Sequence, residues 1–150
     1  MKICIASDHR GFLLKNELYE RLKQKYDITD LGTYTEEMTD YSKYGILLGE
    51  KIKNKEYDFG IAICGSGIGI SIACNKVKKV RCAKVTTKNE AYLTRKDNNA
   101  NIVALDGNMN VEEKMEIVET FLNTKFEEIP RYVKRIKDIE MYENGDKLEW

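Results

Sequence analysis

The sequence predicts an α/β fold in which a five-stranded parallel sheet carries helices on both faces. Three observations predict it. Short apolar runs alternate with helical segments of about 10–15 residues, the pattern of βαβ units. The 150 residues suit one ordinary domain with a real core. No repeat, linker or low-complexity tract interrupts them.

Taken in order, "KICIAS" (2–7) is a short apolar run suited to a buried strand. Phe12, Leu13, Leu14, Leu18 and Leu22 then recur at helical spacing among Lys, Glu and Arg. "YDITDLG" (26–32) reads as a second strand closed by Gly32, and residues 41–53 as a second helix. "DFGIAIC" (58–64) is the third strand. Residues 68–77 form a helix whose small side chains allow close packing on the sheet. "VRCAKV" (80–85) is the fourth strand, 88–96 a short helix and "NIVALDG" (101–107) the fifth strand. Residues 110–124 make an amphipathic helix, and an extra C-terminal helix, 131–143, follows the only proline, Pro130. The tail from Asn144 is either loose or docked by Trp150. Parallel strands with right-handed crossovers give a Rossmann-like sheet of order 2-1-3-4-5 over residues 1–150, one domain.

Composition excludes several classes of function. Lys+Arg and Asp+Glu number 25 each, so the formal net charge is zero and no basic excess marks a nucleic-acid surface. No apolar run approaches the roughly 18 residues of a membrane span. The N-terminal "MKICIASDHRGF" lacks the apolar length and small-residue site of a secretory signal. The expectation is a soluble cytoplasmic protein with no nucleic-acid or membrane partner. Cys4, Cys64, Cys74 and Cys82 form no C-x-x-C pair and share the chain with one histidine, so no metal site is expected. Cys4, Cys74 and Cys82 read as small buried hydrophobes.

Cys64 stands apart because of its position. In open parallel sheets a ligand sits beyond the carboxyl ends of the strands, where strand order reverses. Here that crevice lies between strands one and three. Ser7, Asp8, His9, Arg10 and Gly11 follow strand one; Cys64 through Gly69 follow strand three. Asp8 is also placed to cap a helix, a purely structural use. "CGSGIGI" lacks the Lys-Ser/Thr pair of a phosphate-loop ATPase, and its G-x-G-x-G spacing differs from G-x-G-x-x-G. A third use needs only successive N–H groups at a turn entering a helix, which form a concavity for an anion. There they can hold a phosphate or a developing oxyanion. Positive charge at a helix start favours thiolate, so Cys64 reads either as a nucleophile or base, or as a buried strand-end residue.

These residues resemble those of the type B ribose-5-phosphate isomerases and the related galactose-6-phosphate isomerase subunits. The resemblance runs from Met1 to about Met141. Its carriers are "SDHRGF" (7–12), "DLGTY" with "TDYSKYG" (39–45), "ICGSGIGISIACNKVKKVRCA" (63–83), "TRKDNNANIVAL" (94–105) and the Arg131/Arg135 pair. It implies a cofactor-independent aldose-ketose isomerase of a phosphorylated sugar, most readily ribose 5-phosphate to ribulose 5-phosphate, through an enediolate. It further implies a homodimer with shared active sites, and leaves pairing into tetramers open.

By position, the resemblance makes Cys64 the base that moves a proton between C1 and C2. Ser66 would bond that thiol or a substrate oxygen, and the amides of Gly65, Ser66, Gly67, Ile68 and Gly69 would stabilise the enediolate. Asp8 and His9 would touch the sugar and its ring oxygen or phosphate. Tyr41 would line the pocket, and Asn98 would come from the other subunit. Arg131 and Arg135, four apart on a helix, would grip phosphate. Two departures bear on the substrate. Asp97 stands where the family usually has a ring-opening histidine, and an aspartate with an ordinary pKa of about 3.9 suits neutral acid-base work poorly. "LDGNMN" lacks an arginine often found near Asn108. The alternatives are another pentose or hexose phosphate, such as galactose 6-phosphate or allose 6-phosphate, or a non-catalytic sugar-phosphate binder.

Overall fold

The structure, a computed structural model, describes residues 1–150. Its strands are β1 (Lys2–Ser7), β2 (Asp27–Asp30), β3 (Phe59–Cys64), β4 (Cys82–Lys84) and β5 (Ile102–Asp106). Its α-helices are α1 (Phe12–Leu22), α2 (Tyr41–Lys53), α3 (Ile68–Cys74), α4 (Lys88–Asn98), α5 (Val111–Asn123) and α6 (Pro130–Glu143). A 3-10 turn at His9–Gly11, absent from the sequence reading, joins β1 to α1. No helix is long and apolar enough to cross a membrane.

All strand pairs are parallel, in the order β2-β1-β3-β5-β4. This corrects the expected 2-1-3-4-5: the last two strands are exchanged. Ile102, Val103, Ala104 and Leu105 are fully buried, whereas three-residue β4 is half-buried at Cys82 and Ala83 and exposed at Lys84. The apolar strand takes the interior position, and the short charged one becomes the edge, where unpaired backbone is tolerated. The β4-to-β5 connection therefore runs back toward the centre, and a right-handed crossover puts α4 on the same face as α1.

The period of two along each strand divides the core into two layers. Ile3, Ile5, Ile61, Ile63, Val103 and Leu105 pack against Leu14, Leu18 and Leu22 of α1 and Ile117, Val118 and Phe121 of α5. Cys4, Ala6, Ala62, Cys64 and Ala104 face the other way, with Leu48 and Ile52 of α2 and Ile70 and Cys74 of α3. Small side chains on that second face draw α3 close to the sheet. Each large buried aliphatic contributes on the order of 2 kcal/mol. Helix α6 has no buried residue, and Trp150 is fully exposed, so the tail is not docked by it.

Candidate active site

Cys64 owes its place to strand alternation. Ile61 and Ile63 point into the α1/α5 layer, so Ala62 and Cys64 point toward α3. Directly after Cys64 the chain must turn into α3, and Gly67 makes the turn with φ of +75°. Only glycine takes that conformation at little cost. A Cβ there would also lie 2.8 Å from the carbonyl carbon of Leu105, so the loop rests on the end of β5.

Around this turn lies a cavity of about 570 Å³, lined by Asp8, His9, Arg10, Met38, Thr39, Asp40, Tyr41, Cys64, Gly65, Ser66, Ile68, Gly69 and Ile72. The two loops expected to converge do so. The Gly67 N–H donates to Cys64 Sγ at 3.2 Å, and the Ile68 N–H donates to Ser66 Oγ at 3.2 Å. Ser66 therefore does not bond the thiol, and its hydroxyl hydrogen remains available. These internal bonds consume two of the amides expected to meet an enediolate. The amides of Gly65, Ser66 and Gly69 are left without a protein acceptor. Tyr41 lines the wall with its ring packed on Gly69, where a Cβ would fall 2.8 Å from Cζ.

Asp8 serves the structural use as well: its Oδ1 accepts from the N–H groups of Arg10 at 2.9 Å and Gly11 at 3.1 Å. His9 is fixed by Thr39, which sequence reasoning assigned no role. The His9 N–H donates to Thr39 Oγ1 at 2.9 Å. Both the N–H and the carbonyl of Thr39 stand 3.1 Å from His9 Nδ1. Whichever tautomer is present, Nδ1 has a partner and Nε2 is free for a ligand. Thr39 belongs to the loop after β2, which is anchored by the fully buried Lys15 paired with Asp30; Asp30 Oδ1 also accepts the Gly32 N–H at 2.8 Å.

Cys4 and Cys82 are held in the protonated thiol form. Burial, with Cys74 beside it, pushes the Cys4 thiol up to about 12. A hydrogen bond with Cys74, reinforced by burial, raises Cys82.

Asp97, Asn98 and Arg135 are not in this cavity. They line a second one of about 460 Å³ beside the β4 edge, with Arg81, Cys82, Ile136, Ile139 and Glu143 among its other residues. Asp97 Oδ1 lies 3.1 Å from Lys96 Nζ. Arg131 also stays outside the Cys64 cavity: its guanidinium stacks on Tyr132 with Cζ 4.6 Å from the ring centre. One chain thus holds the expected residues in two groups, at two places.

The family model described as Ribose/Galactose Isomerase matches residues 3–139. The probable ribose-5-phosphate isomerase B of Mycoplasma genitalium is 41% identical over 145 residues, covering 94% of this chain and 95% of that one. The solved Clostridium thermocellum ribose-5-phosphate isomerase B superposes with a TM-score of 0.93 at 40% identity, covering 97% and 99% of the two chains. A Mycoplasma genitalium ribose-5-phosphate isomerase B solved with bound ribulose 5-phosphate gives 0.88 at 40% identity, covering 95% and 96%. On the family match over nearly its whole length, with these relatives beside it, the chain belongs to the ribose/galactose isomerase family.

Proposed function

We propose that this protein interconverts an aldose phosphate and its ketose, ribose 5-phosphate and ribulose 5-phosphate, through an enediolate with Cys64 as base. The observation that carries the reading is the Cys64 sulfur at the rim of a cavity that also presents His9, Tyr41 and three free amides. The thiolate takes the proton from the carbon beside the carbonyl. The C–H electron pair becomes the new C–C double bond, and the carbonyl π pair moves onto oxygen. Returning the proton to the neighbouring carbon, while the hydroxyl proton of the second oxygen passes to the first and that second oxygen becomes the carbonyl, completes the transfer with no external oxidant or cofactor. Free amides facing the oxygen in a water-poor site are each worth about 3 kcal/mol.

The working unit in this proposal is a homodimer. Asp97, Asn98, Arg131 and Arg135 lie away from Cys64 in one chain, and a second copy can bring them to it. Ile68 and Ile72, both 55% exposed at the cavity mouth, are an apolar rim for that copy to cover. Phosphate then sits against the arginines and the reacting carbons against Cys64. Asp97, ion-paired with Lys96, favours a second reading in which the substrate is a different phosphosugar such as galactose 6-phosphate or allose 6-phosphate.

A coupled assay over ribose 5-phosphate, galactose 6-phosphate and allose 6-phosphate tests both readings. Turnover of at least one sugar is expected, and Cys64→Ala should lower kcat by roughly 10²–10⁴. A wild-type protein inert on all three would refute the isomerase reading. Equal turnover by Cys64→Ala would remove the sulfur from the mechanism.

A further inference from the structure

We propose that Arg10 is a further catalytic residue, whose guanidinium stabilises the negative charge that forms on the substrate oxygens during enolisation. The proposal rests on the isomerase reading above and adds a group to it.

Arg10 lies in the 3-10 turn after β1 and lines the same cavity as Cys64, Gly65 and Ser66. Its guanidinium lies against Gly65. A Cβ on Gly65 would fall 2.7, 2.8 and 2.9 Å from Arg10 Cζ, Nε and Nη1. Those nearly equal separations mean that the planar group rests face-on against the loop, a seat that any side chain at position 65 would fill. The backbone beneath is fixed too: Asp8 Oδ1 accepts the Arg10 N–H, and the Arg10 carbonyl packs closely on Gly107. The guanidinium itself makes no hydrogen bond or ion pair within the chain, so its donors are uncommitted.

Charge gives this placement its meaning. Asp8 and Asp40 also line the cavity, and Arg10 is the one permanent cation among the lining residues. A new anion beside two carboxylates is disfavoured unless a cation faces it. During enolisation the negative charge leaves sulfur and appears on oxygen. The Gly67 amide faces the sulfur, where the charge starts. The Arg10 guanidinium and the Gly65 amide beneath it have no protein acceptor, so both are left to meet the oxygen to which the charge moves. An interaction stronger at the end of the transfer than at its beginning accelerates the step; one equal at both does not.

The test uses Arg10→Gln and Arg10→Lys with the phosphosugar that the wild-type protein turns over. Arg10→Gln should lower kcat by about 10²-fold, the usual cost of one oxyanion donor, with KM within about threefold. Arg10→Lys should recover part of that loss, because charge returns without the planar fork. A phosphorylated hydroxamate that mimics the enediolate should lose affinity for Arg10→Gln in step with kcat, while inhibition by inorganic phosphate stays unchanged. A raised KM at unchanged kcat would assign Arg10 to the phosphate and overturn the proposal. Unchanged kcat and KM would make it a surface arginine and do the same. A wild-type protein without turnover removes the isomerase reading and this inference together, whereas an active wild type matched by Arg10→Gln removes the inference alone.

Discussion

The cavity at Cys64 and the groove at Asp97 are built in opposite ways. Around Cys64 the walls are the ends of two central strands, and the polar groups are already held: His9 by Thr39, Cys64 by the Gly67 amide, Ser66 by the Ile68 amide. Around Asp97 the walls are an edge strand and α6, a helix with no buried residue. Its charges are met by other side chains, Lys96 against Asp97 and Arg81 Nη1 at 3.7 Å from Glu140. On the proposed reading, chemistry that tolerates little displacement is placed where the backbone is paired within the sheet. In the proposed dimer, the groups assigned to meet the ligand by charge sit on exposed elements that a second copy would adjust.

The harshest way to break the first region is Gly67→Ala. A methyl group would have to sit 2.8 Å from the Leu105 carbonyl carbon and 3.0 Å from the Asp106 nitrogen, both rigid main chain of β5. The left-handed φ adds about 1–2 kcal/mol for any residue with a Cβ. Together these should cost about 3 kcal/mol of stability, read in urea denaturation, and abolish turnover because the Cys64–Gly67 bond is lost. Full activity would mean that the turn can be rebuilt without its glycine.

Removing the arginines sharpens the comparison from the other side. Arg131→Ala with Arg135→Ala should leave the melting temperature nearly unchanged, since both arginines are exposed and α6 has no fully buried residue. KM for phosphorylated substrate should rise by about 10–100-fold, the worth of one or two charge-assisted bonds. If the two regions meet only across a dimer, mixing this variant with Cys64→Ala should restore activity at low substrate. The mixed dimer then contains one intact site. No recovery after subunit exchange would show that both regions act within one chain.

How much of this was legible follows the same division. The bounds of β1, α1 and α2 coincide with those read from apolar spacing, because each is fixed by local periodicity. The convergence of Asp8, His9 and Cys64 was legible as well, since it follows from topology at the β1/β3 switch point, which exchange of the outer strands leaves intact. The exchange itself was not. Residues 80–85 and 101–107 both read as strands, and only their relative burial decides which is central. Thr39 as the clamp on His9 was equally hidden, for it bridges loops 30 residues apart with no local signature. The amides of Gly67 and Ile68 counted as free in the sequence; their use by Cys64 and Ser66 depends on side-chain directions that spacing does not carry.

Between the two regions stands the end of β5, and its smallest perturbation tests how far they depend on one seam. Asp106 pairs in register with Cys64 on one side, and its Oδ2 lies 2.8 Å from Lys114 Nζ of α5. Burial by itself raises the Asp106 carboxyl, but Lys114 and the Asn108 amide outweigh it and hold the group below its usual value. Because the folded-state pKa is depressed, the contribution is complete above the unfolded value of about 3.9 and is lost as pH falls through the folded one. The carboxylate is 26% exposed and partly screened, so Asp106→Asn should cost on the order of 1 kcal/mol at pH 7. In urea titrations that difference should close as the pH is lowered from about 3.9 through the depressed folded-state value, below which the wild-type carboxyl is also neutral. A gap of equal size at low pH would assign the effect to packing of the β5 end and not to the Lys114 charge. In that case the seam would be held by shape alone, as the Gly67 turn resting on it already is.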